Sequence, residues 1–412
     1  MARRARIATA LAVVSALGLA ACGDGGGGEV SADAEQTLTV WAMGEEGTRI
    51  QEIAKQFNED HPNITIKVTP IGWDVAHQKL VSAAAAGKLP DMAQLGSTWV
   101  GEFIDLGVLE PVDTGTFSAD DFFAAAWEGN ERDGEVYGVP WYVDTRVLYY
   151  RTDLAAKAGV DEAPETWADQ LALAEAYKGL ESTKWGFSLP AGGVGAWQNW
   201  MPYLFSAGGS LMDDDGNLTL DSPEAVESFT EYRKYFDKGL SKSTPEAPGY
   251  DVIKDFGADR VPMFASGPWM VQNITDQAPQ LKGKWDVVPL PAGDEPASII
   301  GGASLVTFGD SEHKAAAKEF TSFLTDPKTQ ADWYEMAKSL PANTAAWDEP
   351  ALQNADVGAF QEALDTAGTI PPLAKWEEIA HEIDLTLEEL GKGGDPAELA
   401  KQLQEKTEGL AG

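Results

Sequence analysis

The sequence predicts an α/β protein of two domains. Three observations predict it. Strand-like and helix-like stretches alternate within residues 37–95, as parallel βαβ units require. Removing a leader and a tether leaves roughly 375 residues, enough for two domains at 100–200 residues each. Apolar residues make up 43% of the 412, so a large core forms without disulfides. A single cysteine, Cys22, leaves none possible within the chain.

The elements follow in order. Met1 to Arg6 carry three arginines, and residues 7–21 are apolar and end in Leu19-Ala20-Ala21-Cys22. A charged n-region, a short apolar run and small residues at a cleavage point make a signal peptide. The run is also shorter than the roughly 20 residues that span a bilayer. Residues 23–36 are Gly-rich and then polar, without periodicity, and read as a flexible tether. Residues 37–43 read as a strand, followed by a helix over 47–59 that stops at His61-Pro62. A second strand is expected over 64–70, a helix over 73–86 and a short strand over 92–95. Ser118-x-x-Asp121 and Thr166-x-x-Asp169 have a capping-box form with Asp in place of Glu. Ser222-Pro223 opens an amphipathic run to Lys238. Beyond Lys314 the chain reads as almost entirely helical, interrupted at Leu340-Pro341 and at Ile370-Pro-Pro372.

The formal charge is −36. That balance excludes nucleic acid and anionic membrane surfaces as partners, because Lys and Arg neutralising phosphates drive such binding. Catalytic signatures are missing as well. Gly-x-Ser-x-Gly and His-Glu-x-x-His do not occur, and the four histidines (His61, His77, His313, His381) lack ligand spacing. A glycosidase needs two carboxyl groups on opposite sides of one bond, and Glu45-Glu46 are adjacent on one stretch of chain. No enzyme activity and no cofactor are expected. Asp213, Asp215, Asn217, Thr219, Asp221 and Glu224 have the spacing of an EF-hand loop, but Leu218 stands where the sharp turn needs Gly. A hairpin turn is the better reading, and no metal is expected.

Several ordered strings resemble one family: the solute-binding proteins of ABC importers, in the group that includes maltose-binding protein, in their lipoprotein form. The strongest is Met263-Phe-Ala-Ser-Gly-Pro-Trp-Met270. Others are Gly44-Glu45-Glu46, Gly87 to Asp91, Leu106 to Pro111, Tyr137 to Tyr150, Asp153-Leu154 and Ala207-Gly-Gly209. The resemblance covers essentially the whole mature chain. It implies the two-lobe periplasmic-binding-protein fold, each lobe a mostly parallel sheet flanked by helices, with a ligand cleft at the hinge. Residues 1–21 are then the lipoprotein signal peptide and 22–36 a tether anchored through acyl chains on Cys22. The first lobe takes 37–143 with 302–340, and the second 144–301 with 341–412. Open α/β sheets bind ligands at the carboxyl ends of their strands. Two such lobes facing each other can close around a ligand.

The resemblance also implies the site. In the family the Trp matching Trp269 stacks on a sugar ring, and the acid matching Asp144 accepts hydroxyl hydrogen bonds. Glu45 and Glu46 match a polar ligand pair on the loop after the first strand. Ser97, Thr98 and Trp99 fall where cleft residues are placed. Here the chain departs from the maltose-type Asp-Arg pair, so maltodextrin specificity is not implied. Within Trp197-Gln198-Asn199-Trp200, Trp197 and Gln198 are assigned to the cleft. Gly301 and Gly302 allow backbone to approach a ligand, and Trp376 matches a third aromatic wall. Each has a plainer alternative: core packing for the tryptophans, a salt bridge to Arg146 for Asp144, solvated charge for Glu45 and Glu46, and a bend for the glycines. The expected function is capture of a neutral carbohydrate, a di- or oligosaccharide, for a membrane permease. The expected location is the outer face of the cell membrane, and a monomer is expected. A polyamine or other cationic solute is the alternative ligand, suggested by the acidic cleft positions, and a purely structural surface lipoprotein the alternative role.

Overall fold

The computed structural model describes residues 30–411 other than 32, 214, 248, 354, 371 and 372. The signal peptide, Cys22 and most of the tether lie outside the described residues. Among those described, no helix is long and apolar enough to cross a membrane.

The chain begins with β1 (Gln36–Met43), α1 (Gly44–Asp60), β2 (Ile64–Ile71), α2 (Trp73–Ala85), β3 (Met92–Gly96) and α3 (Val100–Asp105). It leaves this lobe through β4 (Val139–Asp144) and begins β5 (Val147–Tyr150) in a second sheet. The longer elements that follow are α4 (Trp167–Lys178), α5 (Trp197–Ser206), α6 (Pro223–Asp237), β6 (Met263–Ser266), α7 (Trp269–Gln277) and β7 (Asp286–Pro289). Then β8 (Gly301–Thr307) re-enters the first sheet, followed by α8 (Lys314–Thr325), α9 (Pro327–Ala337) and β9 (Leu340–Pro341). The chain finishes with α10 (Trp376–Gly391) and α11 (Pro396–Thr407).

The first sheet has the order β9-β4-β8-β3-β1-β2, and the second β6-β5-β7. Strand direction is more mixed than a mostly parallel sheet. Within these two sheets, β1 with β2 and β1 with β3 are the parallel pairs. Strand β8 runs antiparallel to both β3 and β4, and β5 runs antiparallel to β6 and β7. The reason is connectivity: β4 carries the chain out of the first lobe and β8 carries it back, so the two must oppose each other.

Local chemistry explains the helix starts. Thr166 and Asp169 form a true capping box, and Ser222 caps α6 with Pro223 at its first position. Ser118 caps only a three-residue 3-10 turn. Helix α1 starts at Gly44, earlier than its apolar periodicity indicates, so Glu45 and Glu46 lie in its first turn and not on a loop. The Glu46 carboxylate there suits the positive end of the helix dipole.

Apolar clusters cover the two faces of the first sheet, one around Leu38, Val40, Phe57 and Phe320, the other around Met43, Leu80, Leu95 and Phe103. The second lobe packs α5 on α6, with Trp200 stacked on Phe229 at 4.5 Å. It also buries the stripe Ile379, Ile383, Leu387 and Leu390 of α10, each 0% exposed. Burying one such side chain contributes about 1.5–3 kcal/mol. A further cluster joins Val143 to Val147 and Tyr149, so the crossing itself is part of a core. The short turns at 344–348 and 350–352 pack against α9.

The acidic stretch from Asp213 closes a hairpin-like bridge between Met212 and Leu218. Asp213 Oδ1 accepts from the backbone N–H groups of Asp215 and Asn217 at 3.0 and 2.8 Å. Those bonds make it a turn cap, as the missing Gly indicates.

Candidate functional site

At the carboxyl ends of β1, β3 and β4 a buried polar network fixes the backbone. Gln94 Oε1 accepts from Met43 N–H at 2.8 Å, and Gln94 Nε2 donates to the Tyr142 hydroxyl at 2.9 Å. Burial pushes the Tyr142 hydroxyl well up, and the charges of Glu46 and Asp144 add to the shift. Both acids therefore sit close to this end of the sheet. Glu46 also accepts from the Ser339 hydroxyl at 3.1 Å, so part of its capacity goes to holding α1 against the end of α9.

Asp144 ends β4 and is paired with Gly301 across the sheet. Its Oδ1 accepts from Arg146 Nη1 at 3.0 Å. Arg146 is 7% exposed. Its Nη2 donates to Gln198 Oε1, and its guanidinium carbon lies 5.0 Å from the centre of the Trp269 ring. One cation thus gathers Asp144, Gln198 and Trp269 at the crossing. Trp269 is half-buried at the start of α7. A Cβ on Gly267 would fall 2.1–2.7 Å from its ring, so only glycine lets the indole fold back over that turn.

Beside this cluster the second lobe holds a cavity of about 400 Å³, lined in part by Ser188, Gly193, Asn199, Glu246, Tyr250 and Ser266. Asn199 and Ala265 also line a smaller hollow whose walls include Arg146 and Gln198. The volume falls in the usual range of about 300–1,000 Å³ for small-molecule sites. The Tyr250 hydroxyl donates to Asp255 Oδ2 at 3.1 Å, and burial pushes its ionisation up, which keeps it a neutral donor and acceptor.

A second cluster stands on the first lobe. Trp99 is 8% exposed, and its ring meets Trp73 and His77 edge-on, each at 5.3 Å. Trp73 remains 38% exposed. His77 Nε2 pairs with Glu102 Oε2 at 2.5 Å. Trp99 Nε1 donates to Glu377 Oε1 at 3.0 Å, and Glu377 belongs to α10 of the other lobe. Ser97 and Thr98 are half-buried, and Ser97 N–H donates to the Gly302 carbonyl at 3.1 Å.

Other expected positions are placed differently. Trp376 is 1% exposed and packs edge-on against Trp197, itself 9% exposed, at 5.0 Å. Both rings belong to the second-lobe core, because each opens a helix whose apolar stripe faces that core. In this conformation Trp376 therefore presents no free face as a third wall. Gly302 approaches backbone and not open space: a Cβ there would lie 2.1 Å from the Tyr142 carbonyl oxygen. Gly301 similarly makes room for the Asp144 carboxylate, whose Oδ1 would lie 2.7 Å from a Cβ.

The sequence signals missed Arg146, seen only as a partner for Asp144, and also Trp73, Tyr250, Glu377 and Asp384. Asp384 lies at a buried position of the α10 stripe. It accepts from Gly195 N–H and Trp197 N–H, both at 2.8 Å, and so holds the chain that rims the cavity. Burial pushes its carboxyl up to about 6. A polar residue interrupting an apolar helical stripe was its available signal.

Known proteins share the two-lobe fold. The structure superposes on the sugar-binding protein MalE from Xanthomonas citri with a TM-score of 0.81 at 30% identity, covering 91% of this chain and 97% of that one. It superposes on a solute-binding protein from Thermotoga lettingae bound with α-D-tagatose with a TM-score of 0.82 at 27% identity, covering 92% and 100%. The diacetylchitobiose-binding protein DasA of Streptomyces coelicolor is 26% identical over 94% of this chain and 93% of its own length. Residues 41–331 match the family described as bacterial extracellular solute-binding protein. The chain belongs to that family, with a maltose-binding-protein-like fold.

Proposed function

We propose that this protein captures a neutral di- or oligosaccharide in the cleft between its lobes and delivers it to an ABC permease, without chemistry on the sugar. One observation carries the reading: an aromatic ring, Trp269, a carboxylate, Asp144, and an amide, Gln198, are gathered on the one Arg146 guanidinium, and Arg146 and Gln198 line a hollow that shares Asn199 and Ala265 with the 400 Å³ cavity. The apolar C–H face of a pyranose suits an indole, and its hydroxyls suit charge-assisted hydrogen bonds. The names of similar proteins support the class, since they include receptors solved with acarbose and with maltose. The candidate ligand residues are Asp144, Gln198 and Trp269, with Glu45, Glu46, Ser97, Thr98 and Trp99 from the first lobe. A lipid anchor at Cys22, a tether of about 14 residues with a reach near 20 Å, and a monomeric state complete the proposal.

A thermal-shift screen tests it, with maltotriose, mannotriose, galacto- and arabino-oligosaccharides and diacetylchitobiose set against spermidine and putrescine. A ligand at 100 times its Kd stabilises by about 2.7 kcal/mol. At least one sugar should raise the melting temperature. A screen in which only the polyamines do so overturns the reading. For the anchor, Cys22→Ala should move the protein from the membrane fraction to the medium.

A further inference from the structure

We infer that Arg146 is the positioning residue of the binding platform: it holds the Trp269 indole from one side and fixes Asp144 and Gln198 around it. The inference rests on the carbohydrate reading and deepens it. Arg146 sits between β4 and β5, where the chain passes from one lobe to the other. Its backbone is locked by one hydroxyl: Ser298 Oγ accepts from Arg146 N–H at 3.1 Å and donates to the Arg146 carbonyl at 2.8 Å. Thr145 Oγ1 in turn donates to Ser298 Oγ at 2.9 Å. The guanidinium is thus aimed by a rigid element.

From there its plane reaches three partners. Nη1 donates to Asp144 Oδ1 at 3.0 Å and to the Thr145 carbonyl at 3.3 Å, while Nη2 donates to Gln198 Oε1. Trp269 lies over the same group. A planar fork can hold two acceptors and stack on a ring at once, which an ammonium cannot do. Three of the guanidinium's five N–H donors are committed and its charge is paired with Asp144, which argues against direct capture of an anionic ligand. The pairing also neutralises Asp144 locally, so the platform favours an uncharged ligand. The indole is held between this cation and the Gly267 turn and stays half-buried, so part of the ring remains accessible to a sugar.

The test uses the full chain without ligand. Emission from Trp269 is isolated as the difference between each protein and its Trp269→Phe partner, and its acrylamide quenching constant is measured. Arg146→Gln should at least double that constant. Arg146→Lys, which keeps charge but not the fork, should fall between parent and Gln. An unchanged constant in Arg146→Gln overturns the proposal, including when the melting temperature falls, since that pattern marks a purely structural role. Should the Gln variant not fold, the Lys variant decides: an unchanged constant there overturns it too. A parallel maltotriose titration separates the two readings, because loss of sugar binding by the parent leaves the quenching result intact.

Discussion

Trp99 Nε1 donates to Glu377 Oε1 at 3.0 Å, and the bond crosses from one lobe to the other. It exists only while the lobes face each other closely, so it belongs to the closed cleft. Three ionisable groups surround it: His77 on α2, Glu102 on α3 and Glu377 on α10, with His381 and Asp384 further along α10. The family's hinge motion thereby acquires a specific electrostatic contact in this chain.

Trp99→Phe keeps the edge-on packing on Trp73 and His77 and removes only the donor. A hydrogen bond to a charged group contributes about 1.5–3 kcal/mol. Closure should weaken by that order, and ligand Kd should rise about tenfold or more in a calorimetric titration. An unchanged Kd would show that the bond plays no part in the ligand-bound state.

The same cluster makes closure depend on pH. The hydrogen bond that His77 donates to Glu102 is the main influence holding the His77 proton on, opposed by burial, and the charges of Glu102 and Glu377 also raise its pKa. Burial raises the Glu377 pKa, opposed by His77 and by the Trp99 hydrogen bond. Glu102 shares the lobe of His77, so closure itself adds only the Glu377 charge to the His77 shift and the burial to the Glu377 shift. By linkage that contribution is complete at low pH and is lost as pH rises through the raised values. Once His77 is neutral, Glu102 and Glu377 face each other without a cation. Ligand Kd should rise as pH passes upward through and beyond the ordinary histidine value of about 6.5. His77→Gln should flatten that profile.

Asp384 gives a separate pH signature in stability. Its folded pKa of about 6 exceeds the ordinary 3.8, with burial as the main cause. The folded state thus binds its proton more tightly, and stability from this group falls as pH rises between those two values. The size is on the order of 3 kcal/mol, from about 1.4 kcal/mol per pKa unit. Urea denaturation of the parent and of Asp384→Asn should diverge across that window by this order, the parent losing more. Above it the two curves should run parallel.

Gly302 makes a sharper structural test. Its φ of +131° and a Cβ only 2.1 Å from the Tyr142 carbonyl oxygen leave no room for a side chain. In Gly302→Ala, β8 must shift away from β4, at a cost of about 1–3 kcal/mol by analogy with overpacked sites. Gly301→Ala meets only the Asp144 carboxylate, which can move. A smaller stability loss is expected there, with a change in ligand affinity. Thermal denaturation of both variants distinguishes them.

What the sequence made legible was local. The Gly-Pro-Trp turn, the Thr166 cap and the opening βαβ alternation each lie within a short window, so their physics can be read in place. Arg146 could not be read that way: Gln198 is 52 positions from it, and Glu377 is 278 positions from Trp99. Contacts that define the cleft are products of topology. The direction of β8 was hidden for the same reason, since it depends on a return from the second lobe. Trp376 and Trp269 each open a helix after a proline-containing stretch, and only the packing of those helices separates a core ring from a half-exposed one.

That difference yields a paired prediction. Trp376 is enclosed against Trp197 and the α10 stripe, so Trp376→Ala should cost about 3–5 kcal/mol of stability, the usual range for a buried aromatic. Trp269 is half-buried and stacked on a cation, so Trp269→Ala should leave the melting temperature near the parent's. Its sugar affinity should fall by about 1 kcal/mol or more. Urea denaturation and a sugar titration on both variants read the two quantities independently. The reverse pattern, with Trp376→Ala stable but unable to bind, would mean that ligand draws the Trp376 ring out of the core to form the third wall.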